Sequence, residues 1–208
     1  MSSIKLTFYN KSQDVKNNNI VMFQKNTGAS VNESVIAWKV IENCGIGDFN
    51  PFDYPLTQQV SVIDLWGNYS PLQDANNGDV FSVTDAKGLT GTILSKTREI
   101  GDPNMVTVRN DLAIGSIDIA IYKDSRQLSL KSGVTPGDES LFELLPYLFI
   151  GTCVDVVEGD VMDSDTVQGS LTKLSLLGLK SADISMTGGG TGQLATAFVF
   201  TLDSQKYC

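Results

Sequence analysis

Apolar and polar residues alternate from the first residues of the chain. Ile4, Leu6 and Phe8 are separated by Lys5, Thr7 and Tyr9. Successive side chains of a strand point to opposite faces, so a period of two predicts a half-buried β-strand here. Ile20-Val-Met-Phe-Gln-Lys25 predicts a second, more fully apolar strand closed by Asn26-Thr-Gly28. In residues 35–41, Ile36, Trp38 and Val40 alternate. A helix capped by Asn32 competes there, but β-branched residues dominate and one strand is expected. Val60 and Val62 open a further strand, turned by Trp66-Gly-Asn-Tyr-Ser-Pro71. Residues 105–109, 114–122 and 127–130 read as strands, and residues 141–157 read as two, divided at Pro146. Residues 171–179 and 182–187 lead into Met186-Thr-Gly-Gly-Gly-Thr-Gly192, beyond which Phe198, Phe200 and Leu202 alternate again. That run predicts a loose glycine hairpin bringing the last strand back into a sheet.

Two stretches read as irregular. Residues 44–56 contain Gly45, Gly47, Pro51 and Pro55, and are expected to form a loop carrying Phe49, Phe52 and Tyr54. Residues 155–168 form an acidic turn region. A short pattern occurs twice: Asn77-Gly-Asp79 precedes Phe81 and Gly91, and Pro136-Gly-Asp138 precedes Phe142 and Gly151. Each copy has an apolar strand upstream, which two halves of a sandwich would share; two copies are too few for a solenoid. Frequent turn signals without a long amphipathic helix predict an all-β protein, a single-domain β-sandwich of mostly antiparallel strands spanning residues 1–208.

Composition narrows the partners. The formal charge of −9 is spread along the chain, and the densest basic stretch, Lys96-Thr-Arg98, is followed at once by Glu99. Such a surface repels phosphate backbones, so neither nucleic acid nor an anionic membrane is an expected partner. No segment has the apolar length of a membrane span, and Met1-Ser-Ser-Ile-Lys-Leu lacks the core of a signal peptide. The expectation is a cytoplasmic protein, unless it is released by a non-classical route. Cys44, Cys153 and Cys208 are too few and too scattered for a disulfide framework. Cys44 and Cys153 read as small buried residues and Cys208 as an exposed thiol.

The absence of histidine removes Ser-His-Asp and Cys-His nucleophilic systems and His-ligated zinc, copper, iron or haem. No catalytic residue and no cofactor is expected. The Gly188–Gly192 run lacks the lysine and following helix of a phosphate loop. Asp160, Asp163 and Asp165 are the one weak candidate for a Ca²⁺ site, but the EF-hand order is absent and a solvated turn is expected. The aromatic set Phe49, Phe52, Tyr54, Trp66 and Tyr69 is the candidate contact surface; its competing role is to cap a sandwich core.

The succession Ile20-Val-Met-Phe-Gln-Lys-Asn26, Ala37-Trp-Lys-Val-Ile41, Asn43-Cys-Gly45, Gly67-Asn68 and Ser181-Ala-Asp-Ile-Ser-Met-Thr-Gly-Gly-Gly190 resembles a group of short microbial β-rich proteins of unassigned function. The resemblance spans most of the chain and implies a single domain, but carries over no functional residue. The expected function is a non-enzymatic binding or self-assembly module, a homo-oligomer joined through sheet edges or aromatic loops. The alternatives are a lectin- or toxin-like protein binding a glycan or lipid headgroup, and a histidine-free carboxylate hydrolase.

Overall fold

A computed structural model describes residues 3–28, 33–86, 91–162 and 167–208. Strands make up 61% of it and helical residues 2%, so the protein is all-β. The chain opens with β1 (Ser3–Asn10), β2 (Asn19–Phe23), β3 (Glu33–Ile36), β4 (Lys39–Ile41) and β5 (Phe49–Pro55). It continues with β6 (Gln58–Ile63), β7 (Gln73–Ala75), β8 (Asp79–Asp85) and β9 (Thr92–Ile100). Next come β10 (Val106–Asn110), β11 (Ile117–Lys123), β12 (Arg126–Val134) and β13 (Glu139–Phe142). The last five are β14 (Tyr147–Cys153), β15 (Val161–Met162), β16 (Val167–Ser175), β17 (Leu179–Gly189) and β18 (Thr196–Tyr207).

The span read above as one sandwich groups into two compact units. Unit 1 comprises Met1–Gln24, Ile36–Leu56 and Pro146–Cys208; unit 2 comprises Lys25–Val35 and Thr57–Leu145. Unit 1 has two four-stranded sheets, ordered β18-β17-β1-β5 and β16-β14-β2-β4. Unit 2 has one sheet ordered β13-β10-β8-β9 and another containing β12-β11-β6-β7, with β3 alongside β12. Each unit buries its own apolar faces. In unit 1 these include Ile4, Leu6, Phe8, Ile20, Met22 and Ile150, and in unit 2 Val60, Val62, Phe81, Val108, Ile119 and Phe142.

The units share one topology. In unit 1, β18 and β17 are antiparallel, β17 and β1 parallel, and β1 and β5 antiparallel. In unit 2, β9, β8, β10 and β13 repeat that order and those directions. The second sheets match as well: β16-β14-β2-β4 and β7-β6-β11-β12 are antiparallel at every step. Unit 2 runs through its eight shared strands in order, β6 to β13, whereas unit 1 starts its cycle at β14 and completes it at β5. The two are circularly permuted copies of one arrangement.

A buried asparagine marks the equivalence at atomic detail. Leu6-Thr-Phe-Tyr-Asn10 of β1 corresponds to Val106-Thr-Val-Arg-Asn110 of β10, and Ile184-Ser-Met-Thr187 to Phe81-Ser-Val-Thr84. Asn10 is 2% exposed and Asn110 fully buried. The Asn10 backbone N–H donates to Asp48 O at 3.0 Å and its carbonyl accepts from Gly47 N at 2.8 Å. Asn110 makes the same pair with Asp138 O at 2.9 Å and Gly137 N at 2.8 Å. Asn10 Nδ2 donates to Cys44 O at 2.8 Å, and Asn110 Nδ2 to Val134 O at 2.9 Å. Each Oδ1 accepts from the backbone two residues on, Ser12 N or Leu112 N, at 3.1 Å. The turns so gripped need φ of +88° at Gly47 and +87° at Gly137, a region that glycine enters without steric cost.

Further expectations change, and residues 155–168, read as an acidic turn, include β15 and the first residues of β16. Phe49–Pro55 is a strand, not a loop. Pro51 and Pro55 lie opposite Thr7 and Ser3, four residues apart, so their nitrogens face the same edge. Because β5 ends its sheet, that edge has no strand to receive the missing N–H groups, which is where a strand tolerates proline. The single strand expected over 35–41 is two, since the chain passes between units after Val35. Ala37 N donates to Asp160 O at 2.9 Å and Ala37 O accepts from Gly159 N at 2.9 Å, which fixes the break. Of the repeated Gly-Asp pattern, only the turn recurs. Gly78 and Gly137 both have positive φ and lead into β8 and β13, whereas Gly91 precedes β9 and Gly151 lies inside β14, opposite Val21.

Replacing Asn10 or Asn110 with Ala strands several buried backbone groups. Each variant is expected to lose about 2–4 kcal/mol in urea unfolding, since an unsatisfied buried group costs about 1–3 kcal/mol. The exposed Asn104→Ala is expected to stay within about 0.5 kcal/mol.

Candidate functional site

The alternation in β1 sends Ile4, Leu6 and Phe8 inward and Lys5, Thr7 and Tyr9 to the opposite face. Pairing with β5 brings Phe49 beside Tyr9, Pro51 beside Thr7 and Asp53 beside Lys5. The Tyr9 and Phe49 rings lie 5.8 Å apart, tilted by 31°. Phe49 is 63% exposed. Lys11 Nζ sits 5.5 Å from the Tyr9 ring centroid and 3.8 Å from Asp203 Oδ2. Two shallow depressions lie along β5, one beyond Phe49 at Pro51 and one at Phe49 itself. One, of about 370 Å³, is lined by Lys5, Thr7, Pro51, Phe52 and Asp53. The other, of about 260 Å³, is lined by Glu42, Asn43, Asp48, Phe49 and Asn50 among others.

The equivalent face of unit 2 has different chemistry. Arg109 stands where unit 1 has Tyr9, and Glu139 where it has Phe49. Arg109 donates from Nη2 to Glu99 Oε1 at 3.0 Å and pairs through Nη1 with Glu99 Oε2 at 2.9 Å. Ser82 Oγ donates to Asp111 Oδ2, and Asp111 lies 4.0 Å from Arg109 Nε. The hydrogen bond that Arg109 donates to Glu99, and then the charge of Glu99, raise the guanidinium above its ordinary value. A charged, mutually paired surface therefore serves this position as well as aromatic rings do.

The aromatic residues singled out in the sequence separate. Tyr54 is fully buried, its ring 5.7 Å from buried Trp38 in an edge-on contact. It is a core residue, and burial pushes its hydroxyl well above the ordinary tyrosine range. Phe52 is half-buried, 6.5 Å from Trp38 and with Lys39 Nζ 5.4 Å from its centroid. Trp66 and Tyr69 belong to unit 2 and are 78% and 64% exposed. Trp66 rides on a turn built by Asp64, whose Oδ1 accepts from Trp66 N and Asn68 N at 2.9 Å. Burial alone would raise the Asp64 carboxyl, but hydrogen bonds from Asn68, Trp66 and Gly67 outweigh it and hold it below the usual range.

Tyr9 was missed as a partner of Phe49. Its outward position is legible from the β1 alternation, but its neighbour is set by strand pairing. Asp160 caps its own turn, its Oδ2 accepting from Val157 N at 3.0 Å. Asp163 and Asp165 lie outside the described residues, as does Asn32. Among the described residues, no group of three Cys, Asp or Glu side chains could hold a metal ion. Cys44 and Cys153 are buried and Cys208 exposed. Burial pushes the Cys153 thiol up to about 11, which keeps it protonated and unreactive.

The glycine run joins β17 and β18 as a hairpin whose tip holds one short 3₁₀ turn, Gly192–Leu194. Its backbone lies against the β1–β2 connection: Gln13 N donates to Gly188 O at 2.7 Å and Gly190 N to Gln13 O at 2.9 Å. A Cβ at Gly188 would meet Ala197 O at 2.1 Å, so close backbone approach requires glycine there. A pocket of about 290 Å³ beside the hairpin is lined by Asp14, Lys16, Asn18 and Phe198, among others. The Asp14 carboxylate is occupied by Lys16 N, Asn18 N and Asn18 Nδ2.

No family model matches the chain, and neither a curated protein nor a solved structure matches it.

Truncating Tyr54 to Ala is expected to cost about 3–5 kcal/mol, as for a buried aromatic, while Phe49→Ala stays within about 0.5 kcal/mol. Calorimetric unfolding of both variants checks this. A second expectation concerns Lys123 at the end of β11, which is 3% exposed and whose ammonium burial pushes down to about 7. The unfolded lysine binds its proton up to about pH 10.4, the folded one only up to about 7, so the unfolded state holds more protons between them. Its contribution to stability therefore rises with pH above 7 and is lost as pH falls from that range towards 7. Relative to Lys123→Met, the wild type should gain up to about 1.4 kcal/mol of stability per pH unit from pH 7 towards pH 9. Urea titrations of both proteins at pH 7, 8 and 9 read the slope.

Proposed function

We propose that the chain is a non-enzymatic binding module whose contact surface is the outer face of β1 and β5 around Tyr9 and Phe49. One observation carries this reading. The fold is built twice, and the outward-facing pair of unit 1, exposed Phe49 with half-buried Tyr9, is replaced in unit 2 by a self-paired charged network. The pair is therefore not a requirement of the architecture, and aromatic rings on an outer sheet face are the kind of group that anchors a ligand or partner.

Association through sheet edges, the other form of a binding module, has less support. Pro51 and Pro55 block the β5 edge. The β18 edge carries Asp203, Lys206 and a left-handed Ser204, and the β9 edge carries Lys96, Arg98 and Glu99. Charges, prolines and irregularities are the features that keep edges from pairing. Catalysis has less support still, because the surface offers Lys5 and Asp53 but no nucleophile activated by a neighbouring base.

The test compares wild type and Phe49→Ala by sedimentation velocity across concentration and on a printed glycan array. The wild type is expected to associate or to retain a glycan, and the variant to lose that signal with its melting temperature unchanged. A wild type that is monomeric throughout and silent on the array overturns the proposal, as does a signal that survives Phe49→Ala.

A further inference from the structure

The surface around Phe49 has a specific chemistry, and the inference drawn from it rests on the contact-surface reading above. We infer that the ligand is a neutral glycan, with one pyranose ring stacked on Phe49 beside Tyr9 and neighbouring sugar units reaching the two depressions along β5. The occupant must offer a flat apolar patch no larger than the ring pair and a polar rim around it. Apolar contact at the centre is limited to exposed Phe49 and Pro51 and half-buried Tyr9, because Lys5 and Thr7 on β1, Asp53 on β5 and Lys11 over the Tyr9 ring bound the patch. The axial C–H face of a pyranose supplies the patch, and its equatorial hydroxyls supply the rim.

Both depressions are lined for hydrogen bonding. On one side stand Lys5, Thr7 and Asp53, and on the other Glu42, Asn43 and Asn50. Carboxylates accept hydrogen bonds from sugar hydroxyls, and amide and ammonium groups donate to hydroxyl and ring oxygens. Their volumes, about 370 and 260 Å³, lie near the lower end of the range for small-ligand sites, which begins at about 300 Å³, so each takes about one sugar unit.

Charge decides between classes of glycan and against a protein partner. Glu42 and Asp48 stand beside Phe49, Asp53 lies further along β5 opposite Lys5, and Lys11 lies over Tyr9; with −9 on the chain overall, the balance is acidic and disfavours sulfated or sialylated chains and a second copy of this protein. A stable protein interface buries roughly 800 Å² per partner around an apolar centre, and a patch of two rings and a proline supplies too little of that. Unit 2 has no equivalent of this ring pair, since Arg109 and Glu139 occupy the corresponding positions.

The test is titration of the intact protein with cellohexaose, maltohexaose, chitohexaose and mannohexaose, followed by calorimetry and by amide chemical shifts. At least one is expected to bind with one site per chain, shifting residues of β1 and β5. Phe49→Ala should weaken that binding at least tenfold with the melting temperature unchanged, Phe49→Trp should restore it, and Asp53→Ala should weaken it severalfold. Binding should change little between low and high salt, as a neutral ligand requires. Loss of self-association in Phe49→Ala, with none of the four sugars bound, overturns the glycan inference and leaves the contact surface standing. Sugar binding indifferent to Phe49→Ala overturns both. Salt-sensitive binding of a heparin fragment at the same residues, in place of the neutral sugars, overturns the assignment of charge.

Discussion

Two buried asparagines hold this architecture together. Asn10 and Asn110 each end a parallel strand at the centre of a sheet and each tie that strand to a Gly-Asp turn leading into the antiparallel edge strand. A parallel pair gives no tight turn of its own, so the chain must leave the sheet and return. The asparagine side chain is what spans the gap. It donates to the incoming backbone at Cys44 or Val134 and accepts from its own outgoing backbone at Ser12 or Leu112. With every group satisfied, burial adds specificity to the turn; with the side chain removed, the same burial becomes a penalty.

Because that arrangement is built twice, one unit serves as an internal control for the other. Positions alike in both, such as Thr7 and Thr107 or Ser185 and Ser82, belong to the shared framework. Positions that differ in kind report on what each unit does separately. The Tyr9–Phe49 pair against the Arg109–Glu139 pair is the clearest of these on the outer sheet faces. The contrast is informative because both choices satisfy the same backbone, so stability alone does not select between them.

The permutation also accounts for the way the chain is threaded. Unit 2 closes through consecutive strands β6 to β13, whereas unit 1 gathers β1 to β5 from one end of the chain and β14 to β18 from the other. Its β1–β17 pairing joins residues as far apart as Lys5 and Ser181. Non-local pairing of this kind requires loop closure before any contact rewards it, so the larger loop-closure cost falls on unit 1.

How much of this was legible in advance follows from the range of the interactions involved. The all-β class, the inward set Ile4, Leu6 and Phe8, the division at Pro146 and the glycine hairpin are local consequences of period and turn chemistry, and each was readable along the chain. The outward position of Tyr9 was readable for the same reason. The strand at Phe49–Pro55 was not, because two prolines and two glycines signal a loop, and only an unpartnered edge makes those prolines harmless. Nor could the aromatic set be divided. Phe49 and Tyr54 are five residues apart on one strand, and it is the pleat, together with Trp38 on the inner face, that buries one and leaves the other exposed. The repeat escaped notice because permutation moves equivalent segments to distant places in the chain, and its surest mark, an asparagine whose every polar group is spent, exists only once the strands have paired. The sequence by itself determined which residues could face inward; the tertiary structure decided which of them met, because strand partnership is a long-range choice that no local pattern contains.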